Sequence, residues 1–63
     1  MIPGNKLKIT KKTFLHKGIF VHTGSIVEFV REVEDGAVEV TYLDKEANPH
    51  NITLKLGEWE SVP

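Results

Sequence analysis

The residues Ile26-Val27-Glu28-Phe29-Val30-Arg31-Glu32-Val33-Glu34-Asp35-Gly36-Ala37-Val38-Glu39-Val40-Thr41-Tyr42-Leu43 carry the fold. Two β-rich runs with period-two alternation flank Asp35-Gly36, a strong short-range hairpin signal. A two-residue turn there pairs Glu34 with Ala37, Val33 with Val38, Arg31 with Val40 and Phe29 with Tyr42. One face then carries Val27, Phe29, Val33, Val38, Val40 and Tyr42 and is expected to be core. The other carries Glu28, Val30, Glu32, Glu34, Ala37, Glu39, Thr41 and Leu43 and is expected to face solvent. This register sets Glu32 opposite Glu39, a like-charge pair. It also drops Arg31 into the core row, from which it must reach to an edge.

Moving outward toward the N-terminus, the alternation continues. In Lys6-Leu7-Lys8-Ile9-Thr10 the apolar Leu7 and Ile9 share one face. Lys11-Lys12-Thr13 interrupts the pattern, and Phe14 and Leu15 resume it. Gly18 marks a turn before the short strand Ile19-Phe20-Val21-His22, and Thr23-Gly24 is a second break. Toward the C-terminus, residues 44–51 read as a loop with Asn48-Pro49 as its turn. Pro49 cannot donate to a ladder, which excludes a central strand there. Residues 51–56 alternate again and place Ile52, Leu54 and Leu56 inside, Gly57-Glu58 turns the chain, and Trp59 and Val62 are expected to pack back on the core. No segment has a helical period.

The chain is 63 residues long, without cysteine, with a net charge of −1. That length allows one domain with a thin core and no disulfide framework. No apolar stretch is long enough for a transmembrane span, and the start lacks the pattern of a signal peptide, so a cytoplasmic location is expected. The near-neutral total conceals a division. Residues 1–24 hold five lysines and no acid, whereas residues 25–63 hold three bases and all nine acids. Such polarity points either to a charged partner or to two segments that interleave in the fold and neutralise each other.

These elements together predict an all-β domain of about five short antiparallel strands, bent until it closes on itself. The stretch Gly24-Ser25-Ile26-Val27-Glu28-Phe29-Val30, the turn Asp35-Gly36 and the run Val38-Glu39-Val40-Thr41-Tyr42 resemble the central strands of SH3-like β-barrels, the bacterial SH3 type above all. Gly57-Glu58-Trp59-Glu60-Ser61-Val62 resembles the short terminal turn and strand of such barrels. The likeness covers roughly residues 18–62 and implies a single SH3-like barrel. The aromatic motifs with which eukaryotic SH3 domains hold proline helices are missing, as are the spaced glycines of ribosomal-type barrels. The resemblance therefore transfers no functional residues.

The chemistry-bearing residues suggest binding rather than catalysis. His16, His22 and His50 match no metal-site spacing and are read as surface or loop histidines. Neither Ser25 nor Ser61 has the partners of a nucleophile. Glu28, Glu32, Glu34 and Glu39 on an open strand face lack the cleft that acid–base work needs. Asn51-Ile52-Thr53 matches a glycosylation acceptor by chance composition. No phosphate loop, cofactor motif or metal motif is present.

Two surfaces are left. One is a basic arm of Lys6, Lys8, Lys11, Lys12 and Lys17, with Phe14 or Phe20 exposed beside them. The other is an acidic face of Glu28, Val30, Glu32, Glu34, Glu39 and Leu43. We expect a small non-catalytic module that binds another protein as a regulator or inhibitor, of a size common among phage or prophage accessory proteins. The alternative is a nucleic-acid-binding barrel using the lysine arm, weakly because no arginine lies in it. No membrane contact is expected, and the module is a monomer or a small homo-oligomer.

Overall fold

A computed structural model describes residues 2–62. Seven strands follow one another: β1 (Lys6–Ile9), β2 (Phe14–His16), β3 (Ile19–Val21), β4 (Ile26–Glu34), β5 (Ala37–Leu43), β6 (Pro49–Leu54) and β7 (Trp59–Ser61). No helix occurs among the described residues. Five strands make one sheet in the order β6-β5-β4-β1-β7, and β2 pairs only with β3 in a separate two-stranded sheet. All pairings are antiparallel.

The order β6-β5-β4-β1-β7 forces curvature. Five flat strands at about 4.8 Å spacing would hold the outer two about 19 Å apart. Yet β6 and β7 are the two edges and are consecutive in the chain. The Glu58 N–H donates to the Lys55 carbonyl at 2.9 Å, closing a tight turn between them. Such a turn, with one residue added on each side, spans at most about 15 Å. The sheet therefore curls until its edges approach. Among the described residues no ladder joins β6 to β7.

Two bulges on β4 supply part of this bend. The pairs Phe29↔Val40 and Arg31↔Glu39 leave Val30 unmatched, and Glu32↔Val38 followed by Glu34↔Ala37 leaves Val33 unmatched. The expected pairing of Glu34 with Ala37 holds, but the straight ladder beyond it does not. A straight ladder would aim the Arg31 guanidinium at the core. The extra residue at Val30 turns it outward instead, where Nε donates to Glu39 Oε1 at 2.7 Å. Glu32 lies opposite Val38, so the expected Glu32–Glu39 repulsion is absent. Val33 is 40% exposed rather than core, and Ala37, expected in solvent, is buried.

The turns differ in kind. At Lys17-Gly18, between β2 and β3, both residues have positive φ, 48° and 85°. This is the type I′ signature, whose twist matches a two-stranded ribbon. At Asp35-Gly36 only Gly36 is left-handed, with φ 77°. That turn matches strand twist less well, and the Val33 bulge beside it takes up the difference. A Cβ on Gly36 would also lie 2.6 Å from Leu56 Cβ, so the position is confined twice over. Between β5 and β6, Ala47 takes φ 62° in a loop held by Asp44.

The core lies inside the curl. Leu7 and Ile9 of β1 are fully buried, with Val21, Val27, Phe29, Val38, Val40, Ile52 and Leu54 around them. Phe14, Tyr42 and Trp59 pack against this cluster, and the Trp59 indole donates to the Gly36 carbonyl at 2.9 Å. Besides Val33, two expected core residues are not in it: Leu56 is 77% exposed and Val62 37%. The alternation of β6 stops at Leu54 because the next N–H, of Lys55, is bound by Glu58 Oε1 at 2.7 Å and starts the turn. At its other end β6 begins earlier than expected, at Pro49 itself. That is tolerated because β6 is an edge strand and Pro49 its first residue.

Candidate functional site

The basic segment divides in the structure. β1 runs between β4 and β7, so its lysines meet acids from the rest of the chain. Lys6 Nζ lies 3.0 Å from Glu28 Oε2, and Lys11 Nζ lies 3.5 Å from Glu58 Oε2 and 4.3 Å above the Phe14 ring. Lys8, Lys12 and Lys17 are exposed, and no carboxylate among the described residues lies within ion-pair distance of them. Interleaving thus pairs Lys6 and Lys11 with acids and leaves Lys8 on β1, and Lys12 and Lys17 at the base and tip of the β2–β3 hairpin, without an acidic partner among the described residues.

The hairpin is anchored at its base. Val21 is buried in the core and Phe14 packs against it. Thr23 Oγ1 donates to the Lys11 carbonyl at 2.6 Å, and the Thr23 N–H donates to Thr13 Oγ1 at 3.2 Å. The register pairs Phe14 with Val21, Leu15 with Phe20 and His16 with Ile19. Side chains alternate across a strand, so the first and last of these pairs turn toward the sheet and the middle one turns away. Accordingly Leu15 is 62% and Phe20 63% exposed. They form an apolar cross-strand pair on the outer face.

Beside Phe20 the surface falls into an open groove of about 300 Å³. Ile19, Phe20 and His22 form one wall, and Tyr42, Asp44, Lys45 and Glu46 form the other. The Tyr42 hydroxyl donates to the Phe20 carbonyl at 3.3 Å and ties the walls together. Asp44 shapes the far wall. Its Oδ1 accepts the N–H groups of Glu46 and Asn48, each at 2.9 Å, and its Oδ2 lies 2.9 Å from His50 Nε2. The His50 hydrogen bond first, then the backbone donors, hold the Asp44 carboxyl below the usual carboxylate range. These bonds tie Asp44 to the shape of the loop.

The acidic candidates are spread along β4 and β5. Glu28 is paired to Lys6 and Glu39 to Arg31. Glu32 and Glu34 are exposed toward the β4–β5 turn, and Val30 is half-buried at its bulge. Leu43 is 58% exposed and lines, with Lys6, Ile26, Val27, Glu28 and Thr41, a second depression of about 270 Å³. His16, His22 and His50 lie apart. Among the described residues no three His, Asp or Glu side chains gather as metal ligands.

The groove's second wall, residues 42–46, has no motif. Its nearest sequence signal is the Lys17-Gly18 turn, which once recognised puts Leu15 opposite Phe20. Comparison with family models, with curated proteins and with solved structures finds no match to the chain.

Proposed function

We propose that the chain is an SH3-like barrel acting as a small non-catalytic protein-binding module, with its partner seated on the outer face of the β2–β3 hairpin. Strand order supports the barrel: a meander whose last strand lies beside its first, curled by two bulges, with its edges linked by a tight turn. The observation that carries the binding reading is the exposed Leu15–Phe20 pair beside a groove. An exposed aromatic at the rim of a recess is the anchor geometry of protein interfaces. A standard interface takes about 800 Å² per partner, which is roughly a fifth of the 4380 Å² surface of the described chain. Occupying a partner's surface, as a regulator or inhibitor does, needs no more than this.

One observation favours a second reading, nucleic-acid binding: Lys12 and Lys17 are exposed on the hairpin that carries the exposed Phe20, and lysine with an exposed ring suits a single strand. Photo-crosslinking separates the two. A benzophenone amino acid at position 20 is expected to give a discrete protein adduct in lysate of the source cell. The adduct should survive nuclease and disappear with Leu15→Ser. An adduct that nuclease abolishes, or one formed from position 32 but not from position 20, overturns the proposal.

A further inference from the structure

We infer that the segment received by the hairpin is an extended acidic peptide carrying one apolar side chain, which rests in the groove beside Phe20 while its carboxylates face Lys12 and Lys17. This rests on the protein-binding reading above and names the chemistry of the partner at that site.

Charge is the first argument. Residues 10–24 contain Lys11, Lys12 and Lys17 and no acid. Lys11 is held by Glu58, so the outward-facing charge is that of Lys12 and Lys17. Such a face steers acidic partners toward it and rejects basic ones.

Shape is the second. The groove holds about 300 Å³, and Ile19, Phe20 and Tyr42 supply the apolar part of its lining. That accommodates one large side chain, not a flat surface. In an extended peptide, alternate residues are about 7 Å apart and neighbours point to opposite sides. One residue can then enter the groove while those flanking it pass along the hairpin toward its lysines. The Leu15–Phe20 pair lies beneath that path.

The far wall decides between a peptide and a polyanion. It carries two carboxylates, Asp44 and the exposed Glu46, against one cation, the exposed Lys45, so it is negative on balance. A phosphate backbone or an anionic lipid surface approaching Phe20 would meet these carboxylates. A peptide offers its apolar side chain there and avoids them. Lys12 and Lys17 also give a nucleic acid few phosphate contacts, whereas affinity for it grows with their number.

The test is an amide-resolved NMR titration of the full chain with a synthetic peptide of one central phenylalanine flanked by glutamates. Perturbed amides are expected at Leu15, Phe20, His22, Tyr42 and Lys45. Affinity should fall about tenfold or more with alanine at the peptide centre, with Phe20→Ser, or with Lys12→Glu and Lys17→Glu together. It should also fall as salt is raised. Because these residues are exposed, an unchanged spectrum away from the site will show that each variant is folded. The inference is overturned if a lysine-flanked peptide binds as well, or if perturbations centre on Ile26 and Leu43. It is also overturned if oligo-thymidylate or anionic vesicles occupy the same amides and the glutamate peptide does not. A nuclease-resistant protein adduct at position 20 without glutamate-peptide binding refutes the acidic chemistry alone. Loss of both refutes the protein-binding reading as well.

Discussion

Replacing Gly36 with alanine tests how the sheet is curled, because two constraints meet at that residue. Its φ of 77° lies where an L side chain costs about 1–2 kcal/mol. The new Cβ would also stand 2.6 Å from Leu56 Cβ. That atom is next to the backbone, so a rotamer change cannot move it away, and such overpacking costs about 1–3 kcal/mol. Together the substitution should destabilise by about 2–5 kcal/mol. A domain of this size loses about 4–8 °C per kcal/mol, so Tm should fall by at least about 8 °C. Thermal and urea unfolding followed by circular dichroism and by Trp59 fluorescence would measure it. A Leu56→Gly background separates the causes: with the clash gone, Gly36→Ala should cost only the conformational part, about 1–2 kcal/mol. A loss below about 0.5 kcal/mol in the parent would refute the left-handed turn. An equal loss in both backgrounds would refute the close approach of the two turns.

Ala47→Gly should stabilise by up to about 1 kcal/mol, since Ala47 has φ 62° in an exposed loop; a lower Tm would contradict that conformation. Leu7→Ala, in a fully buried site, should cost about 2–5 kcal/mol and leave little folded protein by NMR dispersion. Trp59→Phe keeps a ring but removes the bond to Gly36, and should cost about 1 kcal/mol in urea unfolding. Asp44 has its pKa lowered by folding, so its contribution is complete above the unfolded carboxyl value of about 3.9 and is lost as pH falls through the lower folded one. The parent should therefore exceed Asp44→Ala in Tm at neutral pH and converge with it in acid. A constant gap from pH 7 to 2 would show that the carboxylate is not what holds the loop.

Alternation alone sufficed to read β1, the existence of the β4–β5 hairpin and most of β6, because a thin core admits apolar residues only at every second position. Val33 and Arg31, both on β4, were misplaced for one physical reason. A bulge adds a residue and inverts the side-chain phase, and nothing local in Val30 or Val33 announces it. The one anomaly a straight ladder left, an arginine in the core row, was its trace. Leu56 failed differently. It continues the period of β6, but the Glu58 carboxylate captures the Lys55 N–H and ends the strand first. At the candidate site, the unpaired lysines were readable only as a group. Which of them the sheet would neutralise depended on β1 lying between β4 and β7, a long-range fact. The groove's second wall, residues 42–46, comes from a loop whose shape rests on Asp44, and loop chemistry carries no period.

The open side of β6 bears on how the chain behaves at high concentration. The Asp44 N–H donates to the Asn48 carbonyl at 3.1 Å, which fixes the ladder's phase. Residues 50, 52 and 54 then spend their backbone groups on β5, and only 49, 51 and 53 turn theirs outward. Pro49 has no N–H to give, and just past the strand the Glu58 side chain holds that of Lys55. Asn51 and Thr53 remain, a template of two residues where a growing intermolecular sheet needs a longer run. Addition of one copy to another along this edge should therefore stall after its first bonds. A strongly curved sheet of this size can stay dispersed without a charged residue on that strand.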